Sequence, residues 1–378
     1  MLMLQVMPLV ITVILSLTYS GLILWIYRGW KKSLSTSDFS SGQSETVTIL
    51  VPVRNEADHI NRTIHHILEN DYPKTHYEIL IIDDHSSDET AGIVQSLNHE
   101  NIRYLPLPEQ LTGKKQAITC GIDHTQNPIV LCTDGDSLPG TSWIKSHAVQ
   151  YENDRIQICA GIVLPEVENT LLSQFQWLDF ASMMAVTANG IERKKYFLAN
   201  GASLSYRKSA FVGHGGFAGN FERASGDDIY LIQKIALRQP ESVGFVNDKN
   251  AICYTKSEAT WSAFFNQRKR WASKAMNSFD SNIKWVQGFI FGYTLMMITF
   301  IPFAILHPVH LLIPLVCLWS VKLITDFIYL NRLSTDYQNR GAMLWFLPAF
   351  LVYIIHILLS GYYALFPPVY DWKGREVR

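Results

Sequence analysis

The 378-residue chain is short of charge, and this shortage excludes several classes of protein. Only 17% of its residues are Asp, Glu, Lys or Arg and 48% are hydrophobic, whereas about 25% of an average soluble domain is charged. The net charge of -1 provides no basic field that would attract a nucleic acid. We therefore expect a membrane partner and no nucleic-acid partner.

Cysteine is also scarce, and its pattern argues against a disulfide-rich or zinc-binding protein. The five cysteines include no Cys-x-x-Cys pair, and their odd number argues against a disulfide framework. The twelve histidines show no His-Glu-x-x-His spacing, so we interpret them as ordinary surface and core residues. We expect reduced thiols in a domain that faces the cytoplasm.

Long apolar runs are present instead, and they lie at the two ends of the chain. The segment Val6–Tyr27 carries no charge and is long enough to cross a membrane. The basic cluster after it, which includes Lys31 and Lys32, favours the cytoplasmic side, whereas a cleavable signal peptide has its basic residues before the apolar run. We predict an uncleaved anchor over residues 1–30 with its N-terminus outside.

The second apolar region, residues 281–378, predicts two to three further spans and a basic tail. Lys322 and Asp326 lie four residues apart within it, so we expect them to pair with each other or to face protein rather than lipid. The candidate spans are Trp285–Leu306, Leu311–Leu330 and Ala342–Phe366.

Between the apolar ends, residues 46–280 alternate strand-like and helix-like segments after a polar, Ser-rich linker over residues 31–45. This alternation predicts an α/β domain, with helices on the faces of a parallel sheet. The predicted strands are Thr46–Val53, Glu78–Ile82, Ile102–Leu105 and Ile129–Cys132, and the predicted helices are Asn55–Asn70 and Gly113–His124.

Two of the predicted strands run directly into carboxylates. Asp83 and Asp84 follow the second strand, and Asp134 and Asp136 follow the fourth, at the sheet edge where open α/β folds bind ligands. If the chain stays extended, Asp134 and Asp136 point to the same side, and the intervening Gly135 lets the backbone approach a ligand. Carboxylate oxygens suit Mg²⁺ or Mn²⁺, so we predict a metal-bound diphosphate here; an acidic surface turn is the alternative.

Three later segments also carry candidate functional residues. Asp227 and Asp228 open a predicted helix, Ile229–Leu237, where simple stabilisation of the helix N-terminus is the alternative to a functional role. The segment Leu171–Ala188 is either a helix that lies against the membrane or a core helix. The segment Trp261–Met276 interleaves basic and aromatic residues, which indicates a helix at the membrane surface or a solvated basic face.

Together these segments resemble the membrane-integrated members of glycosyltransferase family 2, whose catalytic domain has the GT-A fold, a Rossmann-like mixed sheet that binds nucleotide-sugars. Each motif is weak alone, but the matching segments follow the order typical of the family, so their joint match is specific. They are Val51–Glu56, Asp83–Asp88, Gly113–Lys114, Thr133–Asp136, Asn200–Ser203, Gly226–Asp228 and Gln267–Trp271.

The resemblance implies a nucleotide-sugar site that contains a divalent metal, Mg²⁺ or Mn²⁺. Asp83 or Asp84 would contact the uracil and ribose, Asp134 would lie against the nucleotide, and Asp136, with Asp134 beside it, would hold the metal. The residues that the resemblance assigns to donor binding are Pro52, Val53, Arg54, Glu56, Asp83, Asp84, Lys114, Asp134, Gln267, Arg270 and Trp271.

The resemblance also implies catalytic roles. Asp228 would be the general base, with Asp227 beside it at the position where the family usually has Glu. In the Gln-x-x-Arg-Trp motif, Gln267 and Arg270 would face the diphosphate and Trp271 the acceptor. Lys274 stands where many processive members have glycine, which argues against polymer synthesis.

The C-terminal residues Trp372–Arg375 resemble a terminal motif of glycosyltransferases that modify lipids, such as ceramide glucosyltransferase-like members; a basic tail that binds lipid headgroups is the alternative. If the domain is cytoplasmic, three C-terminal spans leave Lys373, Arg375 and Arg378 outside, against the positive-inside tendency. One apolar segment is therefore expected to be re-entrant or interfacial, and the sequence does not indicate which.

We expect an inverting, metal-dependent transferase that moves a sugar from a nucleotide-sugar, in particular a UDP-sugar, to a membrane lipid. Its domain would lie at the cytoplasmic face of a bacterial inner or plasma membrane. One alternative is a processive polysaccharide synthase that extrudes its product through the C-terminal helices. Another is a membrane component that binds nucleotide-sugar or lipid without catalysis.

Overall fold

The computed structural model describes residues 2–34, 45–221, 226–275, 281–366, 370–372 and 375–377. Most of the predicted linker, the side chain of Lys274 and much of the predicted terminal motif lie outside the described residues. The strands are β1 (Val47–Val53), β2 (Tyr77–Asp83), β3 (Ile102–Pro106), β4 (Ile129–Cys132), β5 (Leu138–Pro139), β6 (Ile158–Gly161), β7 (Val163–Pro165), β8 (Leu204–Arg207), β9 (Val243–Val246), β10 (Cys253–Thr255), β11 (Tyr370–Trp372) and β12 (Arg375–Val377). The α-helices are α1 (Leu2–Leu34), α2 (Ile60–Leu68), α3 (Thr90–Ser96), α4 (Lys114–His124), α5 (Trp143–Ala148), α6 (Leu171–Glu192), α7 (Lys208–Gly213), α8 (Asp227–Ala236), α9 (Trp261–Ala275), α10 (Ser281–Leu306), α11 (Pro308–Asp336) and α12 (Phe346–Leu365).

The central sheet has seven strands in the order β3-β2-β1-β4-β8-β6-β9. β1 pairs in parallel with β2 and β4, and β2 with β3, whereas β8 runs antiparallel to β4 and β6. A smaller sheet combines β5, β10 and β7. The α/β prediction and the mixed GT-A-like sheet are confirmed, and the four predicted strands lie within two residues of β1 to β4.

Both faces of the parallel part of the sheet are covered. Ile49 and Val51 of β1 pack in one apolar cluster with α2, while Leu50 packs in a second cluster with α4 and the helices near the chain ends. This two-sided burial explains why these strands are continuous apolar runs rather than alternating ones. The predicted helix from Asn55 is shorter than expected, because Asn55 has a positive φ of 54° and α2 begins only at Ile60.

Helix α6 is a core helix, the second of the two alternatives for this segment. Its residues are buried on nearly every side between the sheet and the apolar helices α1, α11 and α12. Gly29 of α1 approaches it so closely that a Cβ at Gly29 would lie 2.2 Å from Asn189 Oδ1 of α6. The domain and its apolar helices therefore share one core.

Four helical segments are long and apolar enough to cross a membrane: Met7–Leu34, Ser281–Leu306, Pro308–Asp336 and Arg340–Leu365. The first three correspond to α1, α10 and α11, and the fourth combines α12 with the 3-10 turn before it. Their number and composition indicate an association with a membrane.

The seam between α1 and α11 contains a buried polar group of three residues. Lys322 Nζ donates to Asp326 Oδ2 and to Tyr19 Oη, each at 2.7 Å, and Tyr19 donates to Asp326 Oδ1 at 2.5 Å. Lys322 is fully buried. The expectation that Lys322 and Asp326 pair and face protein is confirmed.

The first prediction concerns this seam. The substitution Lys322→Met leaves a buried carboxylate without its cation, so we expect a loss of about 3–5 kcal/mol of stability, measured by thermal unfolding in detergent micelles. The double substitution Lys322→Met with Asp326→Leu removes both charges and should recover most of that loss. An equal loss in the single and double variants would contradict the assignment of an ion pair.

Candidate functional site

The sheet topology brings the predicted motifs to one edge. The parallel strands β1, β2 and β4 end there, at Val53, Asp83 and Cys132. β8 runs in the opposite direction and begins opposite Cys132 with Leu204, so the preceding segment, residues 200–203, reaches the same edge. Four segments that are distant in the sequence therefore meet beyond the strand ends.

The Asp-Gly-Asp segment forms a turn, and the expectation of an extended chain is wrong. Strand β4 ends at Cys132, and the amide of Ser137 donates to the carbonyl of Asp134 at 3.2 Å, which closes the turn. Gly135 is required by packing against β1, because a Cβ there would lie 2.9 Å from Val53 Cγ1 and 3.0 Å from Glu56 Cγ. The structure thus gives Gly135 a different role from the predicted approach of a ligand.

Lys114 lies between two of the predicted carboxylates. Its Nζ is 2.5 Å from Asp134 Oδ1 and 3.7 Å from Asp227 Oδ2. Burial lowers the pKa of Lys114, but attraction to Asp134 and Asp227 outweighs it, so the pKa is raised above its ordinary value. Lys114 is therefore a permanent cation at neutral pH, and it joins the metal candidate Asp134 to the catalytic candidate Asp227.

Asp228 is held at the start of α8 by backbone amides. The amide of Gly201 donates to Asp228 Oδ2 at 3.1 Å, and the amide of Ile229 donates to Asp228 Oδ1 at 2.8 Å. Asp227 is 8% exposed, whereas Asp228 is more exposed and is the better placed of the two to meet a substrate. A Cβ at Gly201 would lie 2.9 Å from Lys114 Nζ, so only glycine fits here without displacing the lysine.

The two carboxylates after β2 have different surroundings. Asp83 accepts hydrogen bonds from Tyr104 Oη at 2.8 Å and from the amide of Ser86 at 2.9 Å. Asp84 Oδ2 accepts from the amide of Gly113 at 2.9 Å, but its Oδ1 is buried and accepts no hydrogen bond within the described ranges; Arg54 Nη1 lies 3.8 Å from it. Asp84 thus differs from Asp83 in having one buried carboxylate oxygen whose nearest charged partner is Arg54.

The remaining donor-binding candidates on β1 differ in accessibility. Val53 is buried in the sheet core, so its side chain cannot meet a ligand. Pro52 is partly exposed, and Arg54 donates from Nη1 to the carbonyl of Asp84 at 2.9 Å. Glu56 lies against Gly135. Of this loop, Arg54 and Glu56 are nearest the carboxylate cluster.

Helix α9 carries Gln267, Arg270 and Trp271, and it is fixed to the domain by a residue that sequence reasoning missed. Arg268 is 3% exposed, and its Nη2 lies 2.6 Å from Asp179 Oδ2 of α6. Its guanidinium is 4.2 Å from the centroid of the Trp271 ring. The signal that could have revealed this pair is the single acid, Asp179, within the apolar segment Leu171–Ala188.

Gln267 connects α9 to a cleft beside Asp136. Its Nε2 donates to Glu258 Oε1 at 2.9 Å, while its Oε1 is buried and accepts no hydrogen bond in the part of the chain described. The cleft has a volume of about 660 Å³ and opens between α2, the start of α6 and the segment before α9. Among its lining residues are Arg62, Asp136, Glu166, Lys256, Glu258 and Trp261.

The described residues contain no group of three or more His, Cys, Asp or Glu side chains arranged to hold a metal ion by themselves. Mg²⁺ does not need such a group, because it is often bound by one or two carboxylates together with phosphate oxygens. The turn that carries Asp134 and Asp136 supplies this kind of donor set, so these residues fit a divalent cation brought in with a diphosphate.

Comparison with known proteins identifies the domain. Residues 48–222 match the sequence model of the family Glycosyl transferase family 2. A poly-beta-1,6-N-acetyl-D-glucosamine synthase of Staphylococcus aureus is 27% identical over 247 residues, which is 62% of this chain and 56% of that protein. Glycosyltransferase AglE of Haloferax volcanii is 29% identical over 119 residues, 31% of this chain and 39% of that protein. The match therefore spans about half the length of these relatives, or less.

The fold is shared with a solved structure. The mannosyltransferase PcManGT from Pyrobaculum calidifontis, in complex with GDP-Man and Mn²⁺, superposes with a TM-score of 0.56 at 15% identity, covering 96% of this chain and 98% of that one. The match of residues 48–222 to the family model and this shared fold show a glycosyltransferase domain with a GT-A-like mixed sheet and apolar helices at both ends of the chain.

The second prediction concerns Lys114. The substitution Lys114→Met removes the positive charge between Asp134 and Asp227, so we expect a loss of about 1–3 kcal/mol of stability in EDTA. Added Mn²⁺ should restore stability more in this variant than in the native protein, as measured by thermal shift. Lys145→Met, which removes an exposed lysine 4.0 Å from Asp71, is the matched control and should change little. An unchanged melting temperature in EDTA would contradict the bridging role.

The third prediction concerns pH. Burial lowers the pKa of His147 to about 3, and its ring nitrogens contact Ser205 Oγ at 2.7 Å and Ser203 Oγ at 3.0 Å. Between pH 6.5 and 3 the unfolded chain binds the proton more tightly, so stability should fall as pH is lowered, by up to about 1.4 kcal/mol per pH unit. Denaturant unfolding from pH 7 to 5 should show this slope in the native protein but a reduced slope in His147→Gln. The exposed-residue control His65→Gln should keep the native slope.

Proposed function

We propose that this protein is an inverting, metal-dependent glycosyltransferase that moves a sugar from a UDP-sugar to a membrane lipid at the face of the membrane where its domain lies. The observation that carries the proposal is the cluster of Asp134, Lys114, Asp227 and Asp228 at the carboxyl edge of a family 2 domain. The apolar helices that share a core with this domain support a lipid as the acceptor.

The nucleoside would bind at the Asp84 end of the edge. Asp84 Oδ1 accepts no hydrogen bond among the described residues, and once the side chains that cover it move aside it would accept one from a base N–H, which uracil presents at N3. Guanine also presents N–H groups, so this contact supports a nucleotide and the choice of UDP requires the test below. Arg54, between Asp84 and the turn, adds positive charge on the side of the ribose and phosphates.

The transfer step requires a base for the acceptor and neutralisation of the leaving group. Asp228 would take the proton of the acceptor hydroxyl as its oxygen attacks the anomeric carbon, and the bond to the nucleoside diphosphate would break with inversion. A base in this position supplies about 10²–10⁴ in rate. Lys114 and Arg270 would provide fixed positive charge where the departing diphosphate gains negative charge.

Asp134 and Asp136 would hold Mg²⁺ or Mn²⁺, which supplies Lewis-acid stabilisation of the diphosphate when bound. The pairing of Asp134 with Lys114 keeps its carboxylate balanced by a cation in the absence of a metal. The relative of similar fold was solved with GDP-Man and Mn²⁺, which supports a nucleotide-sugar and a divalent cation as the ligands.

The acceptor would reach the site through the cleft beside Asp136. Its 660 Å³ volume is in the range of small-molecule sites, and it combines acidic residues with the partly exposed Trp261. The basic residues Lys31 and Lys32 at the end of α1 support a cytoplasmic location of the domain, in a bacterial plasma membrane.

A processive polysaccharide synthase is the second candidate. It is favoured by the similarity to a poly-beta-1,6-N-acetyl-D-glucosamine synthase over 247 residues. The seam between α1 and α11 argues for single transfer, because it is filled by Tyr19, Lys322 and Asp326. A long water-soluble product would favour the synthase, and one or a few sugars on an organic-extractable lipid the lipid glycosyltransferase.

The fourth prediction tests the proposal with purified, detergent-solubilised protein, Mg²⁺ or Mn²⁺, a panel of UDP- and GDP-sugars, and a membrane lipid extract. Release of nucleoside diphosphate should require the metal and the lipid extract, and Asp228→Asn should lower the rate by about 10²–10⁴. The affinity of Asp228→Asn for the nucleotide, measured by calorimetry, should stay within a few-fold of the native value.

The matched variant Asp84→Asn should show the opposite pattern, with weakened nucleotide binding and a smaller effect on the rate at saturating donor. Activity that survives Asp228→Asn would remove the assigned base. Tight nucleotide binding with no transfer from any donor would instead favour a membrane component that binds without catalysis.

A further inference from the structure

Helix α12 contacts the glycosyltransferase domain at its middle and its end, while its first turns pack on α11, where the Phe346 ring centroid lies 5.2 Å from that of Phe327. The 3-10 turn that precedes it, Arg340–Trp345, packs on α6 and α11. Near its middle, His356 Nε2 lies 3.9 Å from Asp179 Oδ1 of α6. Near its end, the Tyr363 ring centroid lies 5.5 Å from Lys269 Nζ of α9. The preceding turn and the middle and end of α12 therefore lie against the same domain.

A helix that crosses a membrane does not have this set of contacts. A helix of 20 residues is about 30 Å long, close to the thickness of the hydrocarbon core, so a crossing helix that starts at the domain ends about 30 Å away from it. α10 and α11 behave in this way: Asn282, at the start of α10, donates to the carbonyl of Lys195 at 2.6 Å, and Asp336, at the end of α11, pairs with Lys31. The turn between α10 and α11, at His307, is one full helix length away from each of these contacts.

The two faces of α12 also differ. The face that includes Phe346, Phe350, Ile354 and His356 is buried against protein. The opposite face exposes a row of apolar side chains: Leu347, Leu351, Ile355, Tyr362, Leu365 and Phe366. An exposed apolar row on a helix whose other face packs on protein is suited to contact with acyl chains.

We propose that α12 lies in the plane of the membrane on the domain side, with its exposed row in contact with the acyl chains of that leaflet. The chain then crosses the membrane with α1, α10 and α11 only. This arrangement places the C-terminal basic residues on the same side as Lys31 and Lys32, which satisfies the positive-inside tendency. Strand β11, just after α12, contacts α9 and is on the domain side as well.

The in-plane position also links the lipid surface to the site. α12 packs on α9, the helix that carries Gln267 and Arg270, and it reaches the Arg268–Asp179 ion pair through His356. The surface of α12 that we place in the leaflet is therefore connected to the motif helix α9 by direct packing.

The first test uses cysteine accessibility in a Cys317→Ser background, since the other four cysteines are buried. Gly341→Cys and Phe366→Cys flank α12, and His307→Cys marks the turn between α10 and α11. With a membrane-impermeant maleimide, both flanking sites should react in inverted vesicles and stay unlabelled in intact cells, while His307→Cys should show the reverse. Labelling of Phe366→Cys in intact cells, with Gly341→Cys protected, would overturn the proposal.

The second test measures depth directly with spin labels in reconstituted vesicles. Labels at Leu347→Cys, Leu351→Cys and Ile355→Cys should have the same immersion depth within a few ångströms, judged by accessibility to oxygen and to a water-soluble nickel complex. Labels at Ile313→Cys and Ile324→Cys on α11 are the control, and they should differ by about 16 Å because that helix crosses. A steady increase in depth of about 6 Å per turn along α12 would overturn the in-plane assignment.

Discussion

The arrangement of this domain depends on the balance of charge at one sheet edge. The parallel strands β2 and β4 lead into carboxylates at the same edge, and carboxylates that converge without a cation repel each other. Lys114, at the first position of α4, supplies that cation by lying between Asp134 and Asp227. Gly201 leaves the space that the lysine needs, and its amide fixes Asp228 beside the pair. The lysine thus holds the metal candidate Asp134 next to Asp227, the chain neighbour of the candidate base Asp228.

A second buried ion pair, Arg268–Asp179, connects the motif helix α9 to α6 and, through α6, to the apolar helices. Arg268 and Asp179 join α9 to α6, and the guanidinium lies 4.7 Å from the Phe264 ring centroid as well as against Trp271. Replacing only one member of such a pair would strand a buried charge, so the two residues constrain each other strongly. Helix α6 also packs on α1 and α11. The position of α9, which carries Gln267, is therefore determined by the same core that holds the apolar helices.

The sequence was sufficient for the strands, the α/β class, the carboxylate edge and the Lys322–Asp326 pair, because each depends on local periodicity or spacing, whereas the mixed sheet followed only from the family resemblance. It was not sufficient for features that depend on tertiary contacts. The turn at Gly135 arises from packing against Val53 and Glu56, and the role of Arg268 arises from Asp179, 89 positions earlier in the printed sequence. Similarly, the mean hydropathy of Arg340–Leu365, 2.3, is as high as that of the other candidate spans, so the in-plane position that we propose for α12 rests on its contacts and not on its composition.

The shared core has a consequence for how the protein works. A domain tethered by a flexible linker could meet a lipid acceptor only by diffusing to the surface, whereas α6, α9 and α12, with α12 placed in the leaflet as we propose, would hold the cleft at a fixed height above it. If the acceptor is a lipid and Asp228 the base, as proposed, this fixed geometry would lower the entropic cost of bringing them together, because the acceptor would need only lateral movement. The helices α1, α11 and α12 also shield the apolar surface of α6 from water, so their removal would expose it. The membrane helices are therefore part of the catalytic domain's core and not merely its anchor.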